Sequence, residues 1–399
     1  MKDAFKAIQV TDRVWWVGAI DWAVRDFHGY LTGRGTTYNA FVVLGDRPTL
    51  IDTVKAPFMD ELMARVASVI EPERIEVIVS NHAEPDHSGC LERVIDTVKP
   101  ERVYASRQGA AALNEHFGLG DSVTAVEDGQ TVDLGGCSLA FAETKMCHWP
   151  DSMVSYLPEE KLLFSQDAFG MHLATFERFD DRIDRSVLDA EAAKYYANIL
   201  LPLSKMVTKA LGKLTKAGWE LDVIAPDHGP VWRCRPGDIV ADYARWARQE
   251  RVNKAVVVYD TMWDSTQRMA RAAGEGLAAG GTRARLMPLG AAHRSDVATE
   301  LLDAGALLVG SPTINNEMFP TVADCLSYVK GLKPLGLIGA AFGSYGWGGE
   351  AAGKAAAVLE EMGVELVAGP ARSKYVPEAE VFKQCYDLGR TVAARLAGK

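Results

Sequence analysis

The chain lacks three features that would each point to a particular setting. Its six cysteines are scattered without a Cys-x-x-Cys pair, which fits a reducing cytoplasm, where we expect the protein to reside. No apolar run approaches the roughly 18 residues needed to cross a membrane, and Met1–Lys6 lacks the apolar core of a signal peptide. Acidic residues outnumber basic ones, 53 against 43, so we expect no nucleic-acid partner.

The chain has enough material for more than one domain. Its 399 residues fit two or three domains, and a hydrophobic content of 48% supplies a large core. Residues 1–250 alternate short β-rich runs with helical stretches, and a charged helical segment, Tyr243–Lys254, runs into a linker. We therefore predict one domain over residues 1–250 and a second over residues 251–399.

In the first predicted domain, runs of β-branched and aromatic residues between turn residues indicate strands. The predicted strands are Val14–Val17, Ala40–Leu44, Thr49–Asp52, Ile75–Ser80, Leu139–Glu143, Leu162–Ser165 and Val223–Pro226. The predicted helices are Met59–Val69, Cys90–Val98 and the long region Leu188–Ala217.

In the second predicted domain, strands and helices alternate strictly. The predicted strands are Ala255–Tyr259, Ala284–Met287, Leu307–Gly310, Gly336–Phe342 and Glu365–Ala368. The predicted helices are Ser265–Leu277, Val297–Ala304, Val322–Lys330, Glu350–Met362 and Glu378–Leu396. This alternation predicts an α/β fold with a doubly wound parallel sheet.

The most informative segment is residues 81–89, Asn-His-Ala-Glu-Pro-Asp-His-Ser-Gly. It places four metal-capable side chains directly after a predicted strand, which delivers several ligands to one point: His82, Glu84, Asp86 and His87. Glu84 offers a hard oxygen where a zinc hydrolase of this general pattern would offer imidazole. Mixed nitrogen and oxygen ligands suit iron or manganese, so the segment predicts redox metal chemistry.

Three further candidate ligands, His148, Asp167 and His228, stand in similar positions at or after strand ends. Three histidines and three carboxylates exceed the needs of one metal but suit two metals that share a carboxylate. Two interpretations of His87 stay open, a ligand of the second metal or a side chain turned away behind the ligands. Among the other histidines, His28 and His172 are candidates for lining the pocket, whereas His116 and His293 are interpreted as ordinary surface or core residues.

The ligand pattern resembles that of the flavodiiron proteins, a family with a metallo-β-lactamase-like αββα sandwich followed by a flavodoxin-like domain. The matching strings are His-Ala-Glu-Pro-Asp-His-Ser-Gly, Cys-His-Trp-Pro-Asp-Ser-Met and Pro-Asp-His-Gly-Pro. The resemblance implies two non-haem irons and one FMN per chain. By resemblance, one iron is held by His82, Glu84 and His148. The other is held by Asp86 and His228, and Asp167 bridges the two.

Three loops of the second predicted domain follow strand ends, where open α/β sheets bind their ligands. The candidate FMN-binding residues are Thr261, Met262, Trp263, Asp264, Ser265, Thr266, Pro312, Thr313, Ile314, Asn315, Asn316, Ser344, Tyr345, Gly346, Trp347, Gly348 and Gly349. The hydroxyl-rich first loop opens a helix and predicts a phosphate site. Asn315 and Asn316 can form hydrogen bonds with the edge of a flavin ring, and Trp263, Tyr345 or Trp347 can flank its faces. The alternative is that Trp263 and Trp347 are core aromatics.

One residue departs from the family's pattern. Flavodoxin phosphate loops usually carry glycine where this chain has Asp264, and a carboxylate near a phosphate is repulsive. We expect Asp264 to turn outward and to cap the following helix through the N–H groups of its first turn.

The resemblance also implies an activity and partners. Flavodiiron proteins reduce dioxygen to water, nitric oxide to nitrous oxide, or both, with electrons that pass through FMN from rubredoxin or a similar small donor. A fused rubredoxin would need two Cys-x-x-Cys knuckles, which this chain lacks, so the donor must be a separate protein. The family further implies a head-to-tail homodimer, with a dimer of dimers as one possible assembly.

Two other functions fit parts of the sequence. The first is a zinc hydrolase of the metallo-β-lactamase type fused to a flavodoxin, which Glu84 disfavours. The second is a non-enzymatic, flavodoxin-like electron carrier whose first half is a docking module with a dead site. The presence of a complete set of metal ligands argues against a metal site that has lost its function.

Overall fold

The structure, a computed structural model, describes residues 4–398, so the beginning of the N-terminal stretch considered above lies outside the described residues. The chain forms two compact units. The first contains the residues up to Tyr195 together with Leu203–Ala244, and the second contains Tyr196–Pro202 and the residues from Arg245 onward. Among the described residues, no helix is both long and apolar enough to cross a bilayer.

The first part of the chain is rich in short strands. They are β1 (Ile8–Gln9), β2 (Val14–Trp16), β3 (Ala19–Asp21), β4 (Asp26–Phe27), β5 (Tyr30–Leu31), β6 (Thr36–Tyr38), β7 (Phe41–Val43), β8 (Thr49–Ile51), β9 (Val77–Ser80), β10 (Arg102–Ser106), β11 (Val123–Val126), β12 (Thr131–Asp133), β13 (Ser138–Glu143), β14 (Met153–Leu157), β15 (Leu162–Gln166) and β16 (Val223–Pro226). The helices are α1 (Met59–Val66), α2 (Pro85–Ser88), α3 (Leu91–Val98), α4 (Arg107–Phe117), α5 (Arg185–Tyr195), α6 (Ser204–Ala217) and α7 (Pro236–Ala247).

Two sheets face each other in this unit, with strand orders β1-β2-β7-β8-β9-β10-β11 and β12-β13-β14-β15-β16. Residues alternate between the faces of each strand, so Phe41 and Val79 meet Phe164 of the second sheet in the core between them. The intervening residues Val42 and Ile78 point the other way, where α1, α3 and α4 cover the first sheet. Helix α6 contacts β13. The layers form the expected αββα sandwich.

The sheet topology gathers the ends of several strands. β15 runs parallel to β16 and antiparallel to β14, and β14 runs antiparallel to β13. The carboxyl ends of β13, β15 and β16 therefore lie at one edge of the second sheet. The loops that leave these ends carry His148, Asp167 and His228.

Two of the predicted helical regions, Leu188–Ala217 and Tyr243–Lys254, are interrupted or end early. The region Leu188–Ala217 divides into α5, a π-helical turn at Tyr196–Leu200, and α6. Pro202 explains the break, since it cannot donate a backbone hydrogen bond within a helix. The charged helix predicted over Tyr243–Lys254 ends with α7 at Ala247, and Val252 already begins a strand.

The second unit contains the remaining strands and helices. The strands are β17 (Val252–Tyr259), β18 (Arg283–Pro288), β19 (Ala304–Gly310), β20 (Thr313–Ile314), β21 (Glu317–Met318), β22 (Ile338–Tyr345), β23 (Glu365–Leu366) and β24 (Ala371–Lys374). The helices are α8 (Ser265–Ala279), α9 (Arg294–Leu301), α10 (Pro320–Leu332), α11 (Glu350–Glu361) and α12 (Ala379–Ala397).

The main sheet of this unit has the order β18-β17-β19-β22-β23, and β24 also pairs with β22. All of its pairings are parallel. Val257 and Leu308 face α8 and α12, whereas Val256 and Leu307 face α9, α10 and α11. This is a doubly wound sheet in the flavodoxin order 2-1-3-4-5, as predicted. Among the boundaries that differ, the helix expected to reach Ala304 ends at Leu301, and Ala304 already begins β19.

Candidate metal centre and cofactor cavity

The structure brings all seven predicted metal ligands together at the edge described above. They form two groups, within each of which the potential ligand atoms lie within 4.8 Å of one another. The first group is His82, Glu84, His148 and Asp167, and the second is Asp86, His87 and His228. Almost all of these side chains are buried, so the groups are removed from bulk water.

Asp167 lies between the two groups. Its Oδ2 is 2.8 Å from His148 Nε2 and 3.5 Å from His82 Nε2. Its Oδ1 is 3.2 Å from His87 Nε2 and 3.4 Å from His228 Nε2. One carboxylate thus offers one oxygen to each group, which is the arrangement required of a ligand shared by two cations.

The two carboxylate oxygens of Glu84 also face different partners. Its Oε2 lies 3.2 Å from His82 Nε2 and 3.1 Å from His148 Nε2, toward the first group. Its Oε1 lies 2.7 Å from Nε2 of His28, a side chain that is 56% exposed. Burial alone would raise the pKa of the Glu84 carboxyl, but its hydrogen bonds with His148 and His28 outweigh burial and hold the pKa below its usual range.

Several buried polar atoms of the cluster have no hydrogen-bond partner. They include both carboxylate oxygens of Asp86, both ring nitrogens of His87 and Oδ1 of Asp167. Unpaired buried polar atoms are costly and call for a partner. Imidazole and carboxylate donors in this mixture fit iron, so the residues present fit a pair of non-haem irons.

Groups behind the ligands fix their orientation. His82 Nδ1 donates to Asp151 Oδ2 at 3.0 Å, and His228 Nδ1 donates to the Thr37 carbonyl at 2.7 Å. Both contacts leave Nε2 free to face the cluster. His87 Nδ1 is 3.6 Å from Asp227 Oδ2, and its Nε2 also faces the cluster.

A layer of aromatic rings, buried except for half-buried Phe27, lies beside the second group. The His172 ring lies 4.7 Å from the His228 ring, 4.9 Å from Phe27 and 5.1 Å from Tyr195. Burial lowers the pKa of His172 well below its usual value, so this imidazole is neutral at pH 7. His28 and His172 therefore both lie beside the cluster.

Sequence reasoning did not find Asp151 or Tyr195. Asp151 stands three residues after His148 in the string Cys-His-Trp-Pro-Asp, so its proximity was a usable signal. Tyr195 ends α5, and no local pattern relates it to the ligands.

The second unit contains a cavity of about 680 Å³, within the usual range for ligand sites. All three predicted loops meet there. Its lining comprises Met262, Trp263, Ser265, Pro312, Thr313, Ile314, Asn315, Asn316, Ser344, Tyr345, Gly346, Trp347, Gly348, Tyr375 and Val376. Tyr375 and Val376 were not predicted, and Thr261, Asp264, Thr266 and Gly349 lie outside the lining.

The first and third loops are tied together, since Thr266 Oγ1 and Ser344 Oγ share a hydrogen bond of 2.9 Å. The buried hydroxyl of Thr261 has no partner, which fits a phosphate contact. Trp263 and Trp347 are 89% and 90% exposed, so the alternative that they are core aromatics is wrong.

The expected capping role of Asp264 is also wrong. Asp264 precedes α8, but its side chain makes no capping hydrogen bond. Its φ of 62° is left-handed, whereas a capping side chain usually extends from a β-region backbone. Its Oδ1 instead accepts from Gln267 Nε2 at 3.3 Å, and the side chain is exposed.

Comparisons with known proteins agree with this geometry. A family model for the ODP family beta lactamases matches residues 36–229, and a flavodoxin model matches residues 257–389. A nitric oxide reductase of Moorella thermoacetica is 45% identical, over 98% of this chain and 99% of that protein. The solved rubredoxin oxygen:oxidoreductase of Desulfovibrio gigas is 42% identical with a TM-score of 0.96, covering 98% of this chain and 99% of that one. The chain belongs to the flavodiiron protein family.

A second solved structure, the flavodiiron protein of Giardia intestinalis, is 34% identical with a TM-score of 0.94 and covers 98% of this chain and 97% of that one. As a flavodiiron protein, the chain is an oxidoreductase that uses FMN and two non-haem irons, as predicted. An oxidoreductase of this family is neither a zinc hydrolase nor a non-enzymatic electron carrier, so both alternatives are wrong.

Proposed function

We propose that this flavodiiron protein reduces dioxygen to water, nitric oxide to nitrous oxide, or both. The observation that carries the proposal is the position of Asp167, with one carboxylate oxygen toward each of two buried ligand groups. FMN, when bound, would supply electrons singly, and the two irons would bind and reduce the diatomic substrate.

We assign His82, Glu84 and His148 to one iron and Asp86, His87 and His228 to the other. Asp167 serves both. The assignment follows the two groups of ligand atoms. His87 is included because its Nε2 lies 3.4 Å from Asp86 Oδ1 and 3.2 Å from Asp167 Oδ1.

The surrounding residues suit a small uncharged substrate. Buried Tyr195, buried and neutral His172 and half-buried Phe27 pack together beside the second group and limit the access of bulk water to it. His28 Nε2 contacts Glu84 Oε1, so Oε2 is the oxygen that would be available to the first iron.

The electron donor is proposed to be a rubredoxin or a similar small protein. The name of the Desulfovibrio gigas relative supports this choice, and a donor in trans fits the lack of Cys-x-x-Cys pairs among these 399 residues. We propose a head-to-tail homodimer, alone or as a dimer of dimers, because exposed Trp263 and Trp347 rim the cavity and exposed aromatics mark interaction surfaces. The cytoplasm is the proposed location.

Metal analysis and substrate consumption together test the function. Protein reduced under anaerobic conditions should contain about two irons per chain and should consume dioxygen, nitric oxide or both in parallel assays. The ratio of the two rates would give the preferred substrate. Zinc in place of iron, with neither gas consumed, would contradict the proposal.

FMN affinity provides a separate prediction. We expect Asp264→Gly to bind FMN about 1.4- to fivefold more tightly, since relief of an exposed charge repulsion is worth roughly 0.2–1 kcal/mol. Glycine also adopts the left-handed backbone of this position without strain. Asp264→Asn removes the charge alone and separates the two causes. Fluorescence titration of the apoprotein measures Kd, and an unchanged or weaker affinity in both variants would disprove the repulsion.

A further inference from the structure

One residue stands directly beside three ligand-bearing segments. Gln166 precedes Asp167, and its side-chain Nε2 donates to the carbonyl of Cys147, the residue before His148. Its backbone carbonyl accepts from the N–H of Asp227, the residue before His228, at 2.9 Å. We propose that Gln166 is a positioning residue, whose amide sets the distance between Asp167 and His148.

The orientation of the Gln166 amide follows from its surroundings. The side chain is fully buried, and the Cys147 carbonyl can only accept, so the nitrogen must face it. The Gln166 Oε1 then has no partner. An unpaired buried acceptor is costly, so its presence calls for an explanation. The hydrogen bond from Nε2 to the Cys147 carbonyl supplies one.

The backbone at Gln166 is also unusual. Its φ of 48° lies in the left-handed region, which residues other than glycine, asparagine and aspartate rarely adopt. The pairing of β15 with β16 shifts register between Phe164 and Gln166, and such bulges commonly re-aim the side chains beside active sites. The backbone is therefore locally strained at Gln166, and this conformation orients both Asp167 and the Gln166 side-chain amide.

Gln166 is linked to the three segments by its peptide bond to Asp167, the backbone hydrogen bond from Asp227 and the side-chain hydrogen bond to Cys147. Only the last of these depends on the side chain. The bond from Asp227 and the peptide to Asp167 persist whatever residue replaces Gln166, so Asp167 and His228 keep their relation. Loss of the amide releases the loop of His148 alone. Because His148 Nε2 is 2.8 Å from Asp167 Oδ2 and belongs to the first group, the first iron should be affected selectively.

Gln166→Leu and Gln166→Asn test this role from opposite sides. Leucine keeps the volume and removes the donor. Asparagine keeps an amide with shorter reach and tolerates the left-handed backbone better than glutamine does. Gln249→Leu is the matched control, because Gln249 is buried, has a φ of 49° and accepts from the backbone N–H of Leu335 at 2.8 Å, within the other unit.

The measurements are iron per chain during titration with a ferrous chelator, the Mössbauer spectrum and the melting temperature. We expect both Gln166 variants to bind one of the two irons roughly 10–100-fold more weakly, the usual cost of losing a group that orients a ligand. The spectrum of that iron should change, and Gln249→Leu should keep both irons even where its melting temperature falls. If Gln166→Leu fails to fold, the iron affinity and the Mössbauer spectrum of Gln166→Asn test the inference.

Two irons with wild-type affinity and spectra in both Gln166 variants would overturn the inference and leave Gln166 a structural residue. The inference rests on the proposed diiron function, and the wild-type protein distinguishes the two failures. A wild-type protein that binds no pair of irons would overturn the proposed function and this inference with it.

Discussion

Replacing Asp167 by alanine should leave a folded protein with less than one iron per chain and no measurable gas consumption. Asp167 is the residue whose two oxygens face different ligand groups, so its removal takes a ligand from both irons at once. It also removes the shared negative charge that would offset repulsion between two neighbouring cations. The loss of affinity should exceed the roughly 10–100-fold cost of losing an outer orienting group.

The matched control for this prediction is Asp180→Ala. Asp180 is also a buried carboxylate of the first unit, but it accepts from the backbone N–H groups of Arg233 and Cys234 rather than facing the cluster. This variant should lose stability and keep two irons. Iron analysis, far-UV circular dichroism and gas consumption give the comparison. Two tightly bound irons in Asp167→Ala would exclude a bridging carboxylate.

The metal centre was predictable because its ligands lie at strand ends. Residues 82–87 follow β9 after one intervening residue, and Asp167 directly follows β15, so a correct strand prediction also places the side chains. Tyr195 and the bond from Gln166 to Cys147 were not predictable in the same way. Both depend on how distant segments pack, and neither residue type is rare enough at its position to attract attention.

The fold shows the same limit. β14 was missed because its five residues are all buried and so do not alternate, and because Ser155 interrupts the kind of apolar run that revealed the equally buried β15. The strand predicted over Glu365–Ala368 stops at Leu366, and pairing with β22 resumes at β24. Because β24 was not predicted, Tyr375, which directly follows it, was missed as part of the cavity lining.

Replacing Glu84 by histidine should change the metal that the protein selects. The substitution would place a third imidazole beside His82 and His148, and three histidines form a known catalytic zinc set. Nitrogen ligands also favour zinc over ferrous iron in intrinsic affinity. Protein produced with equal supplies of the two metals should therefore contain more zinc than iron. Its gas consumption should fall by more than roughly 100-fold, beyond the cost of losing an orienting group.

Two companion variants separate the causes of that loss. Glu84→Asp keeps a carboxylate with one methylene less, and should retain iron with reduced affinity. His28→Ala keeps Glu84 but removes the 2.7 Å contact with Oε1, so it tests whether the hydrogen bond alone matters. Metals per chain are measured by mass spectrometry, beside oxygen and nitric oxide consumption. If Glu84→His retained two irons and comparable turnover, the carboxylate at this position would not select the metal, and the choice of iron would have to come from Asp86 and Asp167 instead.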